Sequence, residues 1–433
     1  MSAGEIERAN PRGIPTSMLG TCGALIAVGL IAFIGGLVSD PDTAWRAFHV
    51  NLMYFMTLSL GGLMLSCALV IVGAKWAGPV RYVAEGLAAF VPVAFLLMLV
   101  QFLGSESIHT NWVHGAPHGK EGWLNLPRVY LTDLGILGVL ALLTLRYLKL
   151  SFRPALGGAA ERATQAKGAA ERATQAKGMF ARWTKNWRGD AEERADSKRK
   201  LAVLAPICAL VYVFGYSFIA FDQVMSLSPT WFSVIFGWYF LWAGFLNGIA
   251  ATALICVLLS RSPGWDAEIT RPRMHDLGKM LFAFSIFWMY LFFSQYIVIW
   301  YGNLPEETQF FEARLGSQFL QDSWYWVWDN LNEPYVKLSL TAWLGCWVIP
   351  FWVLLGEEPK KTKSILGSVA AISLLGFWLE RNALIWPSLV PGDGAAWFGA
   401  IQIGVALGFL GLFALVYLVF SRVFPTLPLP DRS

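Results

Sequence analysis

Charge is scarce in this chain. Asp, Glu, Lys and Arg make up 14% of its 433 residues, where an ordinary soluble domain carries roughly 25%. So small a share of charge excludes a fold that meets water on all sides. Cysteine is scarce too, and the five that occur (Cys22, Cys67, Cys208, Cys256 and Cys346) stand alone, with no CxxC, CxxCH or ferredoxin-type run. Neither an iron–sulfur cluster nor covalent haem is therefore encoded here. Histidine is almost as rare, with five in all. His49 falls at a helix mouth, His109, His114 and His118 in one loop, and His275 at a helix end, so no pair lies deep in facing helices as membrane haem b would need. Gly115 and Pro117 break the register of the loop trio and no cysteine or well-placed carboxylate completes a donor set, so no bound metal is expected. Walker, GxSxG and HExxH patterns are absent as well, which excludes those hydrolase classes.

Apolar residues fill the space that charge leaves. The chain is 56% hydrophobic, with 21 Trp and 30 Phe, and a window of ~20 residues for a ~30 Å hydrocarbon core gives ten predicted spans. They lie near 17–38, 47–73, 81–103, 129–150, 201–223, 231–260, 277–302, 335–356, 363–384 and 396–421. The expected class is an all-α polytopic membrane protein. The first run is too long for a secretory signal core and reads as a retained helix.

Loop charge predicts orientation. Lys75 and Arg81, twelve Lys/Arg between 151 and 200, then Arg261, Arg271, Arg273, Lys360, Lys361 and Lys363 all fall in loops of one side. The other side holds only Arg46, Lys120, Arg128 and Arg314. The positive-inside rule then puts both termini in the cytoplasm. The chain divides into an N-terminal tail (1–16), a first helix with three more (17–150), a charged cytoplasmic loop (151–200), a further helix (201–223), a second block (231–384) with a periplasmic cap (303–334), a final helix (396–421) and a C-terminal tail (422–433). GAAERATQAK occurs twice in the charged loop, at 158–167 and 168–177, as expected of a solvated duplication. The cap holds six acids, one basic residue and the cluster Trp324, Tyr325, Trp326 and Trp328, which suits a docking surface. Nothing points to nucleic acid.

Ionisable residues in or near hydrocarbon are costly and mark functional routes. His49 on span two, Gln101 and Glu106 closing span three, Asp133 opening span four, and Asp222 with Gln223 closing span five would gather at one outer level. An apolar bundle with such a mouth suits an isoprenoid quinol, whose oxidation needs proton acceptors beside its hydroxyls. Asp222 and Asp133 are the candidate proton-transfer residues, and His49 and His109 join them as candidate quinol contacts. Glu380 and Arg381 on span nine read as a structural ion pair, and Arg81 with Glu85 as a helical one.

FDQVMSLSPTWFSVIFGWYF (221–240) and MHDLGKMLFAFSIFWMYLFFSQYIVIWYGNLPEETQFF (274–311) carry a resemblance. Through them the chain resembles the second large quinol-related membrane subunit of bacterial alternative complex III, in the NrfD/polysulfide-reductase anchor superfamily. The resemblance implies two four-helix bundles, spans two to five and six to nine, flanked by spans one and ten. It implies quinol (menaquinol or ubiquinol) as substrate in a quinol:cytochrome c, or other high-potential acceptor, oxidoreductase linked to proton translocation. Partners would include a sister NrfD-like subunit, an iron–sulfur protein, c-type cytochromes that carry the haem c, and a terminal oxidase. In that family a His and an Asp of the sister subunit hold the headgroup; at the matching level this chain offers His109 and Asp133, then His49 and Asp222. A secondary transporter is the competing class, although no matched pair of Gly/Pro-broken helices is present. A ligand-free anchor is the third.

Overall fold

The computed structural model describes residues 15–166, 186–262, 265–316, 330–331, 333–391 and 398–423. The N-terminal tail to residue 14, the second decamer copy, the Trp324 to Trp328 cluster and the tail from residue 424 lie outside them. All regular structure among the described residues is helical. Ten segments are long and apolar enough to cross a membrane: Thr16–Ser39, Pro41–Ile71, Lys75–Ile108, Leu126–Gly157, Asp190–Leu227, Phe236–Leu259, Arg271–Gly302, Tyr335–Val353, Lys363–Leu389 and Ala400–Ser421, spans one to ten below. The chain is a multi-pass membrane protein.

Local chemistry sets the helix ends. Asp40 caps span two by accepting from the Thr43 N–H at 3.1 Å, and Pro41 takes the first helical position, where its missing N–H costs nothing. Span seven stops at Asn303, whose φ of 47° is left-handed, and Pro305 starts the short helix Pro305–Leu315. Span eight loosens to a π-helical stretch over Leu344–Val348 ahead of Pro350, which has no N–H to give. Two helices outrun their apolar stretches. The helix of span four continues to Ala166 and that of span five starts at Asp190, so much of the segment expected as a loop is helical. Hydropathy marks only where a helix is apolar. Arg153 joins the two extensions through Glu193, at 2.6 and 2.7 Å.

Spans two and six form the centre. In each, 78% of the apolar window is buried, against 17% in span one. Their backbones touch where side chains are missing: a Cβ on Gly61 would lie 1.9 Å from the Gly244 carbonyl oxygen, and one on Gly248 would lie 2.3 Å from the Gly61 carbonyl carbon. Helices in lipid gain no hydrophobic drive from pairing, so close van der Waals approach at small residues does that task. Spans one and ten repeat it at Gly29 and Gly408. Span two packs on three and five, three on four, and four on five. Span six packs on seven and nine, nine on eight, and seven on the inner part of eight, Leu344–Val353.

The loops between odd and following even spans share one end of the molecule, the histidine face, since His109, His114 and His118 lie there. The other end is the basic face.

Candidate functional site

Span two carries His49 two turns in from its capped start, fully buried at the histidine face. Two helix ends converge on it. The helix Val91–Gln101 ends on Gln101, and the helix Asp190–Gln223 ends on Gln223, whose carbonyl has lost its place in the helical ladder. That carbonyl accepts from His49 Nε2 at 2.9 Å, while His49 Nδ1 lies 3.2 Å from Gln101 Oε1. The Gln101 amide nitrogen donates to Gln223 Oε1 at 2.7 Å and to the Tyr130 hydroxyl at 3.2 Å. Gln223 Nε2 then donates to Asp133 Oδ2 at 2.7 Å. The result is an unbroken chain, His49–Gln101–Gln223–Asp133, in which every member is fully buried.

Two arrangements satisfy this chain. With Gln101 Oε1 toward Nδ1, both His49 nitrogens face acceptors, an arrangement that a protonated ring and an ionised Asp133 would satisfy. With both amides reversed, Gln101 donates to His49 Nδ1, Gln223 donates to Gln101, and a protonated Asp133 donates to Gln223. The net charge is unchanged: one proton has left Nδ1 and one O–H has formed on Asp133. Each amide presents both a donor and an acceptor, so it serves either direction.

His109 stands beside this chain without joining it. Its ring is 4.7 Å from Trp112, 5.9 Å from Tyr130 and 6.4 Å from His49, centre to centre. Both its nitrogens are buried without partners, as is Asp133 Oδ1. Burial, and then the neighbouring His49, hold the His109 imidazole well below its usual range, so it is neutral and keeps one ring nitrogen free to accept a hydrogen bond. His114, His118 and Glu106 are exposed and take no part.

Asp222 is engaged elsewhere. Arg128 donates to both its oxygens, at 2.6 and 2.9 Å, and stacks 4.1 Å over Trp123. This bidentate pair ties the start of span four to the end of span five. The structure thus joins His49 and Asp133 in one chain with His109 beside it, and pairs Asp222 with Arg128. Tyr130 and Arg128 were not foreseen; Tyr130 lies three residues before Asp133, on the same helix face, which is the signal that could have found it.

Besides Glu193, which Arg153 holds, two more buried carboxylates occur among the described residues. At the basic face Glu85 receives Arg81 at 3.1 Å and the Ser66 and Ser151 hydroxyls at 2.8 and 2.7 Å. Between spans six and nine, Glu380 accepts from Arg381 at 2.8 Å and from the Tyr239 hydroxyl at 2.6 Å, and Arg381 lies 3.7 Å over Phe240. No group of His, Cys, Asp and Glu among the described residues is arranged to hold a metal. Comparison with protein-family models and with curated proteins finds no match to this chain.

Proposed function

We propose that this chain is the second large quinol-related membrane subunit of an alternative complex III, and that the histidine face of spans two to five is its proton-handling, quinol-linked site. The observation that carries the reading is the buried His49–Gln101–Gln223–Asp133 chain with neutral His109 beside it. Polar groups at membrane depth are costly, and a chain of four that can shift one proton end to end has a use in quinol oxidation. The ring of contacts two–three–four–five, and that of six to nine, support two four-helix bundles flanked by spans one and ten. The Lys/Arg distribution supports cytoplasmic termini, which makes the histidine face periplasmic.

Quinol oxidation breaks two O–H bonds and releases two electrons and two protons. In this reading His109 accepts a hydrogen bond from one hydroxyl and takes its proton, and the four-residue chain carries the other between His49 and Asp133. The electrons pass to iron–sulfur clusters and c-type haems in partner subunits. Asp222 holds Arg128 and shapes the local potential. The test is turnover with a soluble quinol analogue in the assembled complex, with assembly matched by haem content. Asp133→Asn and His109→Gln should each lower turnover ~10²-fold, as loss of a positioned proton acceptor does. Wild-type turnover in both would leave the subunit a ligand-free anchor.

A further inference from the structure

A cavity lies apart from that chain. Spans six, seven, eight and nine and the short helix Pro305–Leu315 enclose about 400 Å³. That is room for a small-molecule ring with part of a tail. Its wall is aromatic, with Phe236, Tyr239, Trp288, Phe292, Phe310 and Phe311 among the lining residues. The Trp288 and Phe292 planes are only 14° apart, and such faces favour a flat ring over an acyl chain.

The few polar groups in this wall are mostly donors. Trp288, Arg314 and Ser339 line the cavity, and Trp288 Nε1, Arg314 Nε and the Ser339 hydroxyl are buried without a hydrogen-bond partner. Trp288 is 2% exposed and Arg314 5%. The other Arg314 nitrogens are spent on carbonyls of Phe310 and Leu384 and on the Ser388 hydroxyl, at 2.6 to 2.7 Å. A buried donor without a partner loses its hydration for nothing, so these three call for acceptor oxygens. Glu380, at the same wall, is already accepting from Tyr239 and Arg381.

The cavity also reaches the outside of the bundle. Phe293 lines it and is 49% exposed on span seven. Span seven packs on the inner part of span eight and on the short helix after it, while its contact with the outer part, Pro334–Trp343, is slight. Phe293, which both lines the cavity and is exposed, marks where the cavity comes to the outside of the bundle.

We propose that this cavity is a second ligand site, for a membrane-dissolved ring carbonyl compound of the quinone class, oxidised ring inward. The three free donors meet the ring oxygens, the aromatic wall takes the ring faces, and the tail leaves past Phe293. The site is separate from the His49 chain and stands or falls without it.

The test uses membranes containing the chain, a photoreactive azido-benzoquinone with a decyl tail, and peptide mapping of the label. Label is expected on Arg271–Gly302, Pro305–Leu315 and Lys363–Leu389. Decyl-benzoquinone should displace it, and methyl decanoate, which has the carbonyl and tail but no ring, should not. Ala383→Phe fills the cavity and should remove this label. Trp288→Phe keeps the ring, loses one donor and should weaken decyl-benzoquinone about tenfold. Label confined to spans two to five, equal displacement by the ester, or wild-type affinity in Trp288→Phe would each overturn the proposal. Trp288→Phe decides alone if Ala383→Phe fails to reach the membrane.

Discussion

At the level of single residues, Asp222 and Asp133 look alike in sequence and differ in what they touch. Asp222 is locked in a bidentate pair with Arg128, whereas Asp133 keeps one oxygen free and gives the other to Gln223. Asp222→Asn should therefore cost roughly 1–3 kcal/mol of stability by loosening a charge-assisted pair, read as a lower melting temperature in mild detergent. Asp133→Asn should leave melting nearly unchanged and act on turnover instead. Equal melting for both would remove the distinction. His109 offers a separate test by pH. In the unfolded chain it titrates near the usual ~6.5, but in the fold, facing His49, Trp112 and Tyr130, it stays neutral to lower pH. The unfolded state then binds the extra proton, so the stability present above that range is lost as pH falls below it. Melting of wild type from pH 7.5 to 5 should show this loss, and His109→Phe should flatten it.

At the level of elements, contact between spans two and six rests on atoms that are absent. A methyl on Gly248 would overlap the Gly61 backbone, and two helix backbones cannot give way as a side chain end can. Gly248→Ala should cost at least the ~1–3 kcal/mol typical of overpacking and yield aggregated protein on size exclusion. Gly20 has nothing within 4 Å of a built Cβ, so Gly20→Ala should be neutral or raise stability by up to ~1 kcal/mol through helix propensity. A gain at both positions would show that propensity, not packing, governs. Element ends were less legible than elements. Apolar runs located all ten spans, but the helices of spans four and five run on into Ala, Glu and Arg, residues that suit a helix and carry no membrane signal.

At the level of the whole molecule, every Lys/Arg-rich connection lies on one face, and that asymmetry bears on orientation rather than on packing. Protease added to intact spheroplasts should leave residues 158–177 uncut, and inverted vesicles should expose them. Cleavage in spheroplasts would reverse the assignment and put the His49 chain on the cytoplasmic side. The same face-to-face asymmetry separates the buried carboxylates: Asp133 at the histidine face works with amides, and Glu85 at the basic face is held by Arg81 and two hydroxyls.

The number of spans, their order and the placement of His49, Gln101, Asp133 and Gln223 near helix ends were determined by the sequence alone, because hydropathy and charge are local properties that no neighbour changes. Partnership was not. Gln101 and Gln223 are 122 residues apart, and nothing along the chain says that their amides meet, that the freed Gln223 carbonyl faces His49, or that Arg128 claims Asp222. The aromatic cavity of spans six to nine was equally hidden, since a Trp or Phe lining a cavity has the same spacing as one facing lipid. Those outcomes depend on how the helices rotate and how closely they approach, and close glycine contacts between helices far apart in sequence fix both.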